Sequence, residues 1–136
     1  MPIIKRINHI AILVDDLEST LQFWQEALGL DLTEIEEVPG EGAKIAFLPT
    51  GDSEIELVKP TTDDSGLAHY LEKRGPGMHH ICLEVDDIDG MLARLKQRGI
   101  QLINEEAKTG ADGRRYAFIH PKSAHGVMVE LYQLSG

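Results

Sequence analysis

Residues 8–16 read Asn8-His9-Ile10-Ala11-Ile12-Leu13-Val14-Asp15-Asp16, and residues 79–87 read His79-His80-Ile81-Cys82-Leu83-Glu84-Val85-Asp86-Asp87. His9 falls on His80 at an offset of 71, and Asp15-Asp16 falls on Asp86-Asp87 at the same offset. Gly29-Leu30 then falls on Gly99-Ile100 at an offset of 70. A self-match at this period means two copies of one supersecondary unit, and it decides the fold before any single segment does.

Working outward, each copy opens on a β-rich run, Ile7–Val14 and His79–Val85. The acidic residues that follow can cap a helix, and their charge suits its N-terminal dipole. Leu17, Leu21, Trp24 and Leu28 recur on one face of the first helix; Ile88, Leu92 and Leu95 do so in the second. Gly29 and Gly99 stand where a glycine ends a helix. Three strand-like segments follow in each copy: Asp31–Val38, Ala43–Leu48 and Glu54–Lys59, then Gln101–Asn104, Arg115–Ile119 and Val127–Gln133. The breaks between them, including Thr109–Gly113 and His120–Gly126, are rich in turn formers. The expected fold is therefore α+β: two tandem β-α-β-β-β units forming a curved mixed sheet around a metal-binding cleft. One domain, 1–136, divides into repeat one at 5–60, a linker helix within 61–76 and repeat two at 77–136. The linker helix is expected at Ser65–Arg74, capped by Ser65 and stopped by Gly75-Pro76.

Composition narrows the function. In 136 residues, 42% are apolar, enough for a core and against overall disorder. No apolar run approaches the ~18 residues of a membrane span, and Met-Pro-Ile-Ile-Lys-Arg lacks the apolar region of a signal peptide. One cysteine, Cys82, excludes an intrachain disulfide and fits a reducing cytoplasm; in its apolar strand it reads as a small buried hydrophobe. Thirteen basic against 23 acidic residues leave a net charge of −10, a poor footprint for nucleic acid.

The chemistry sits at matched positions of the repeat. His9 and His80 lie on the first strand of each copy, and Glu56 and Glu130 on the last, at an offset of 74. Alternation puts Glu56 on one face with Glu54 and Val58, and Glu130 with Met128 and Tyr132. A carboxylate in so apolar a strand is costly to bury unless paired, protonated or bound to a cation. Two imidazoles and two carboxylates suit a divalent ion, Co²⁺, Mn²⁺, Ni²⁺ or Zn²⁺. Glu54 rivals Glu56 for its place, and His79 reads as structural or as a support for a ligand. Gly110–Gly113 is followed by no helix and is not a phosphate loop, although Arg114 and Arg115 could meet an anion.

The duplicated unit with His9, Glu56, His80 and Glu130 resembles the vicinal-oxygen-chelate (glyoxalase-type) superfamily. Asp64–Gly75, Gly77–Ile88 and the His120-Pro121-Lys122-Ser123 loop are similar, within it, to the methylmalonyl-CoA epimerase family. That resemblance implies interconversion of (R)- and (S)-methylmalonyl-CoA by removal of the C2 proton beside a metal, with Co²⁺ placed first. It implies an acyl-CoA as small-molecule partner, a homodimer, and no membrane or nucleic acid. Glu130 is then one acid-base group, and Lys122, Ser123 and His125 lie in the substrate-side loop. Some relatives carry a glutamate on the strand that here reads Ala43-Lys44-Ile45-Ala46-Phe47-Leu48, which has none. Lys44, Glu41 or a water would have to replace it.

Three other readings share the fold. A glyoxalase I-type lyase needs a glutathione surface, and the linker-helix match argues against it. An extradiol dioxygenase uses two histidines and one carboxylate, which leaves Glu56 idle. A bleomycin-resistance-type binding protein needs no ligand set.

Overall fold

The computed structural model describes residues 2–110 and 112–134. Met1, Ala111 of the Thr109–Gly113 break, and the last two residues of the expected domain lie outside the described residues. The elements run β1 (Ile4–Leu13), α1 (Leu17–Leu21) continuing as a π-helical turn over Gln22–Ala27, β2 (Glu34–Val38), β3 (Ala43–Thr50), β4 (Ser53–Pro60) and α2 (Gly66–Arg74). They continue as β5 (Gly77–Val85), α3 (Ile88–Gln97), β6 (Lys108–Thr109), β7 (Arg115–Ile119) and β8 (Val129–Gln133). The class is α+β, with β-α-β-β-β occurring twice around α2.

Ile10–His79 form one compact body; Met1–His9 with His80–Gly136 form another. Strand β1 thus gives its first half to the second body and its last residues to the first.

In the Ile10–His79 body the strand order is β2-β3-β4-β1, with β1 parallel to β4 and the other pairs antiparallel. Alternation sorts its apolar residues onto two faces. Val14, Ala46, Leu48 and Leu57 pack with Leu17, Leu21 and Trp24 of the first helix. Ala11, Leu13, Ala43, Ile45 and Val58 pack with Leu67, Tyr70 and Leu71 of α2. Ser65 caps α2, its hydroxyl accepting from the Ala68 N–H at 3.1 Å.

The first helix departs from the expected face at Leu28, which is 56% exposed. After Leu21 the Leu28 N–H donates to the Phe23 carbonyl, five residues back. This wider turn carries fewer degrees per residue than an α-helix, so a 3.6-residue stripe falls out of phase. Leu30 and Leu32 join the core beside Trp24 instead.

In the other body β5 is parallel to β8, β8 antiparallel to β7, and β7 to β6. One face is apolar: Val85, Ala117, Ile119 and Leu131 pack with Ile88, Met91 and Leu92 of α3. Asp87 caps α3 by accepting from Gly90 N–H at 3.0 Å, and the side-chain oxygen of Gln133 accepts from Ile88 N–H at 2.7 Å. Such a cap contributes about 1 kcal/mol. His80, Cys82, Glu84, Phe118, Glu130 and Tyr132 alternate with those core residues and share the opposite face. The strand expected at Gln101–Asn104 is reduced to a single bridge, Leu102 to Ile119. The Asn104 side-chain oxygen takes the Phe118 N–H at 2.9 Å, and the Ile103 and Asn104 N–H groups converge on the Phe118 carbonyl. A side chain has entered the ladder, which ends it.

Candidate functional site

The opposite face of the second body gathers His9, His80 and Glu130. His9 comes from the end of β1, His80 from β5 and Glu130 from β8, where it lies beside Cys82 in the parallel register. His80 Nε2 is 3.0 Å from Glu130 Oε1, His9 Nε2 is 3.4 Å from that same oxygen, and the two Nε2 atoms are 3.2 Å apart. His9 and Glu130 are both buried. Two imidazole nitrogens this close repel unless a proton or a cation lies between them. Donor atoms bound at about 2.0–2.2 Å around one ion are separated by about 3.0–3.4 Å, so the three atoms already span the edges of a coordination shell. Cys82 Sγ is also near: His9, Cys82 and Glu130 offer ligand atoms within 4.8 Å of one another. The donor set fits a divalent cation.

Burial pushes the Glu130 carboxyl up, but hydrogen bonds from His80 and His9, and their charge, outweigh that and hold it at about 2. The walls are aromatic. The Phe118 ring meets His80 edge-on at 5.3 Å, and Tyr132 meets His9 at 6.3 Å. Burial pushes the Tyr132 phenol up to about 12 against the pull of Arg114, whose guanidinium stands 5.4 Å over the ring. Arg115 is committed to Asp89 by two hydrogen bonds of 2.6 and 2.9 Å, whereas Arg114 pairs with exposed Asp112 at 3.3 Å.

The other candidates lie on β3, β4 and β5 and in two turns. Glu56 belongs to the Ile10–His79 body, half-buried on β4 between Ala11 and Phe47. Glu54, half-buried on the same face, lies opposite Pro49. Lys44 is exposed on β3, across from Glu37 and Lys59. Glu41 is exposed in a 3₁₀ turn over Pro39–Glu41. His79 packs on Tyr70 with ring centroids 4.7 Å apart. Lys122 and Ser123 sit in a 3₁₀ turn over Pro121–Ala124, and His125 follows with φ of 56°. The Ser123 hydroxyl accepts from Gln101 N–H at 2.8 Å, and the Lys122 N–H donates to His120 Nδ1 at 3.0 Å. These two bonds shape the loop; the Lys122 and His125 side chains face solvent.

A family profile described as the glyoxalase/bleomycin resistance protein/dioxygenase superfamily matches residues 8–118. The chain belongs to that superfamily. The human mitochondrial methylmalonyl-CoA epimerase is 42% identical over 94% of this chain and 73% of its own length. The Mycobacterium tuberculosis methylmalonyl-CoA epimerase superposes with a TM-score of 0.85 at 34% identity, covering 98% of this chain and 90% of its own. A variant of the Streptomyces coelicolor methylmalonyl-CoA epimerase, in complex with 2-nitronate-propionyl-CoA, gives 0.85 at 33% identity over 98% and 97%. These relatives of the chain are enzymes of the epimerase class. Among the described residues, no helix is long and apolar enough to cross a membrane.

Two further neighbours of this cluster escaped the sequence reading. Asn8 Oδ1 lies 2.8 Å from His9 Nδ1, and Glu84, a carboxylate, is buried. A signal for Glu84 existed, because it occupies the repeat position of Leu13. Tyr132 and Phe118 were legible only as alternating strand residues.

Proposed function

We propose that this chain is a divalent-metal-dependent epimerase interconverting (R)- and (S)-methylmalonyl-CoA. The observation that carries the reading is the convergence of His9, His80 and Glu130 within 3.4 Å in a chain 42% identical to a methylmalonyl-CoA epimerase. His9, His80 and Glu130 would hold the ion, with Glu56 as the fourth ligand, and Co²⁺ is placed ahead of Mn²⁺, Ni²⁺ or Zn²⁺. Such an ion supplies Lewis-acid stabilisation of the negative charge that develops on the thioester oxygen when the C2 proton leaves.

The remaining work falls to the chain. Glu130, its carboxyl held low beside the two imidazoles, is a carboxylate at neutral pH, the form that accepts a proton at an Oε atom. The C2–H electrons stay with the substrate as enolate, and a proton returned to the other face of C2 completes the inversion. Lys44 is the proposed second group. The aromatic rings of Phe118 and Tyr132 limit water around the carboxylate. Lys122, Ser123 and His125 are assigned to the acyl-CoA, the protein is read as one cytoplasmic domain, and a homodimer is its proposed assembly.

Solvent deuterium incorporation at C2 of methylmalonyl-CoA tests this. Metal-stripped protein in D₂O is expected to exchange only after Co²⁺ is added. No exchange by folded protein with or without Co²⁺ sinks the epimerase reading. Lys44→Ala is expected to lose epimerisation at least ~10²-fold while keeping its metal, as removal of a general acid-base group does; full turnover removes Lys44 from the mechanism.

A further inference from the structure

Glu84 is out of place. Its counterpart in the first copy, Leu13, is fully buried in an apolar core, yet Glu84 is a charged group only 2% exposed. A carboxylate left in such a place needs partners that a leucine does not. Lys5 Nζ at 3.6 Å and Arg6 Nε at 3.5 Å approach it, with both side chains about half exposed. The third neighbour is Asn8, whose Nδ2 donates to Glu84 Oε1 at 3.4 Å. The other end of that amide lies against His9, with Oδ1 2.8 Å from Nδ1.

The order of these contacts carries information. An amide presents an oxygen at one end and an NH₂ at the other, and the two ends are nearly the same size. A carboxylate only accepts, so it turns the NH₂ of Asn8 toward itself and the oxygen toward His9. An oxygen facing Nδ1 requires a proton on Nδ1. The nitrogen left for the donor cluster is then Nε2, which lies 3.4 Å from Glu130 and 3.2 Å from His80 Nε2. We infer that Glu84, acting through Asn8, fixes the proton on His9 Nδ1 and so presents His9 Nε2 to the site. Glu84 and Asn8 are positioning residues. The second copy places His79 at the position of Asn8, where it packs on Tyr70.

The use of the relay rests on the metal reading above, but the placement of the proton does not. It is read directly by ¹⁵N–¹H NMR of histidine-labelled, metal-free protein at pH 9. His9 Nδ1 is expected to carry a slowly exchanging proton in the wild type. Glu84→Leu, the residue of the first copy, is expected to shift that proton toward Nε2 or to speed its exchange at least ~10-fold. The paired exchange Asn8→Asp with Glu84→Gln restores it, because the new carboxylate accepts from His9 while the new amide donates to that carboxylate. If Glu84→Leu does not fold, Glu84→Met, of nearly the same length and without an oxygen to accept from Asn8, is expected to weaken the Nδ1 proton in the same way. A bare Nδ1 in the wild type, or an unchanged Nδ1 proton in the folded single variant, overturns the inference. Zn²⁺ affinity, measured by calorimetry, is expected to fall by about 10- to 100-fold in Glu84→Leu and to recover in the pair. An unchanged affinity overturns the role of the relay at the metal. A wild type that takes up no Zn²⁺ while its Nδ1 proton behaves as stated takes down the metal reading and leaves the relay standing.

Discussion

The two copies of the repeat agree at His9 and His80, the proposed ligands, and part company around them. His9 and His80 sit at one repeat position and meet within 3.2 Å. At the next conspicuous position, Leu13 lies in an apolar core while Glu84 is a buried carboxylate with Lys5, Arg6 and Asn8 about it. The face that carries Leu13 is covered by Leu67, Tyr70 and Leu71 of α2. The face that carries Glu84 also carries His80 and Glu130. Duplication therefore supplied matched histidine positions, and divergence of their neighbours supplied the polar surroundings.

The largest effects are expected at the matched positions. His9→Ala and His80→Ala should each lose bound Co²⁺ and C2 deuterium exchange together, since each removes one of few ligands. Glu130→Gln should keep its fold and lose most of the exchange. Metal content by emission spectroscopy beside exchange rates separates the two cases. A histidine variant that loses exchange but retains Co²⁺ would break the equivalence of the copies.

Trading the unmatched residues sharpens the comparison. Leu13→Glu puts a carboxylate among Ala11, Ala43, Ile45 and Val58, and it should cost about 3–5 kcal/mol in urea denaturation of metal-free protein. Glu84→Leu should change stability by about 1.5 kcal/mol or less, since an apolar group of similar volume relieves the carboxylate's desolvation while Asn8 loses a partner. Equal costs for the two substitutions would mean that the surroundings of the copies are not as different as their contacts indicate.

A smaller effect follows from pH. The Glu130 carboxyl is lowered from 4.5 to about 2 in the metal-free fold. A lowered folded value means that the stabilising contribution is complete above the unfolded value and fades as pH falls through the folded one. The stability difference between wild type and Glu130→Gln should therefore hold from pH 7 to about 5 and shrink between pH 4.5 and 2. A constant difference across that window would show that the two imidazoles do not hold the carboxylate charged.

Much of this was legible in the sequence because it repeats. The offset of 71 pointed to His9 and His80, and the caps of α1 and α3 were written in Asp16 and Asp87, which accept from Glu18 and Gly90 N–H groups. Strand β7 covers the expected Arg115–Ile119. What was not legible depended on hydrogen bonds that no residue pattern announces. Asn104 ends a strand by lending its side chain to Phe118, and Asn8 reaches both His9 and Glu84 although its own strand position predicts neither. Glu84 was visible as a mismatch in the repeat but acquires its meaning only from those contacts.

The smallest expected effect separates the two helices. Leu28 continues the apolar stripe of α1 by spacing, as Leu95 continues that of α3. The π-helical turn over Gln22–Ala27 rotates Leu28 out to 56% exposure, whereas Leu95 packs against the core of Val85, Ile88 and Leu92. Leu28→Ala should change stability by less than about 0.5 kcal/mol, as surface substitutions do. Leu95→Ala should cost about 1–2 kcal/mol, less than a fully buried leucine because its side chain is only partly buried. If Leu28→Ala cost as much as Leu95→Ala, the first helix would keep α-helical phase to its end in solution. The exposed leucine would then have to be seated in the core where Leu30 and Leu32 now lie.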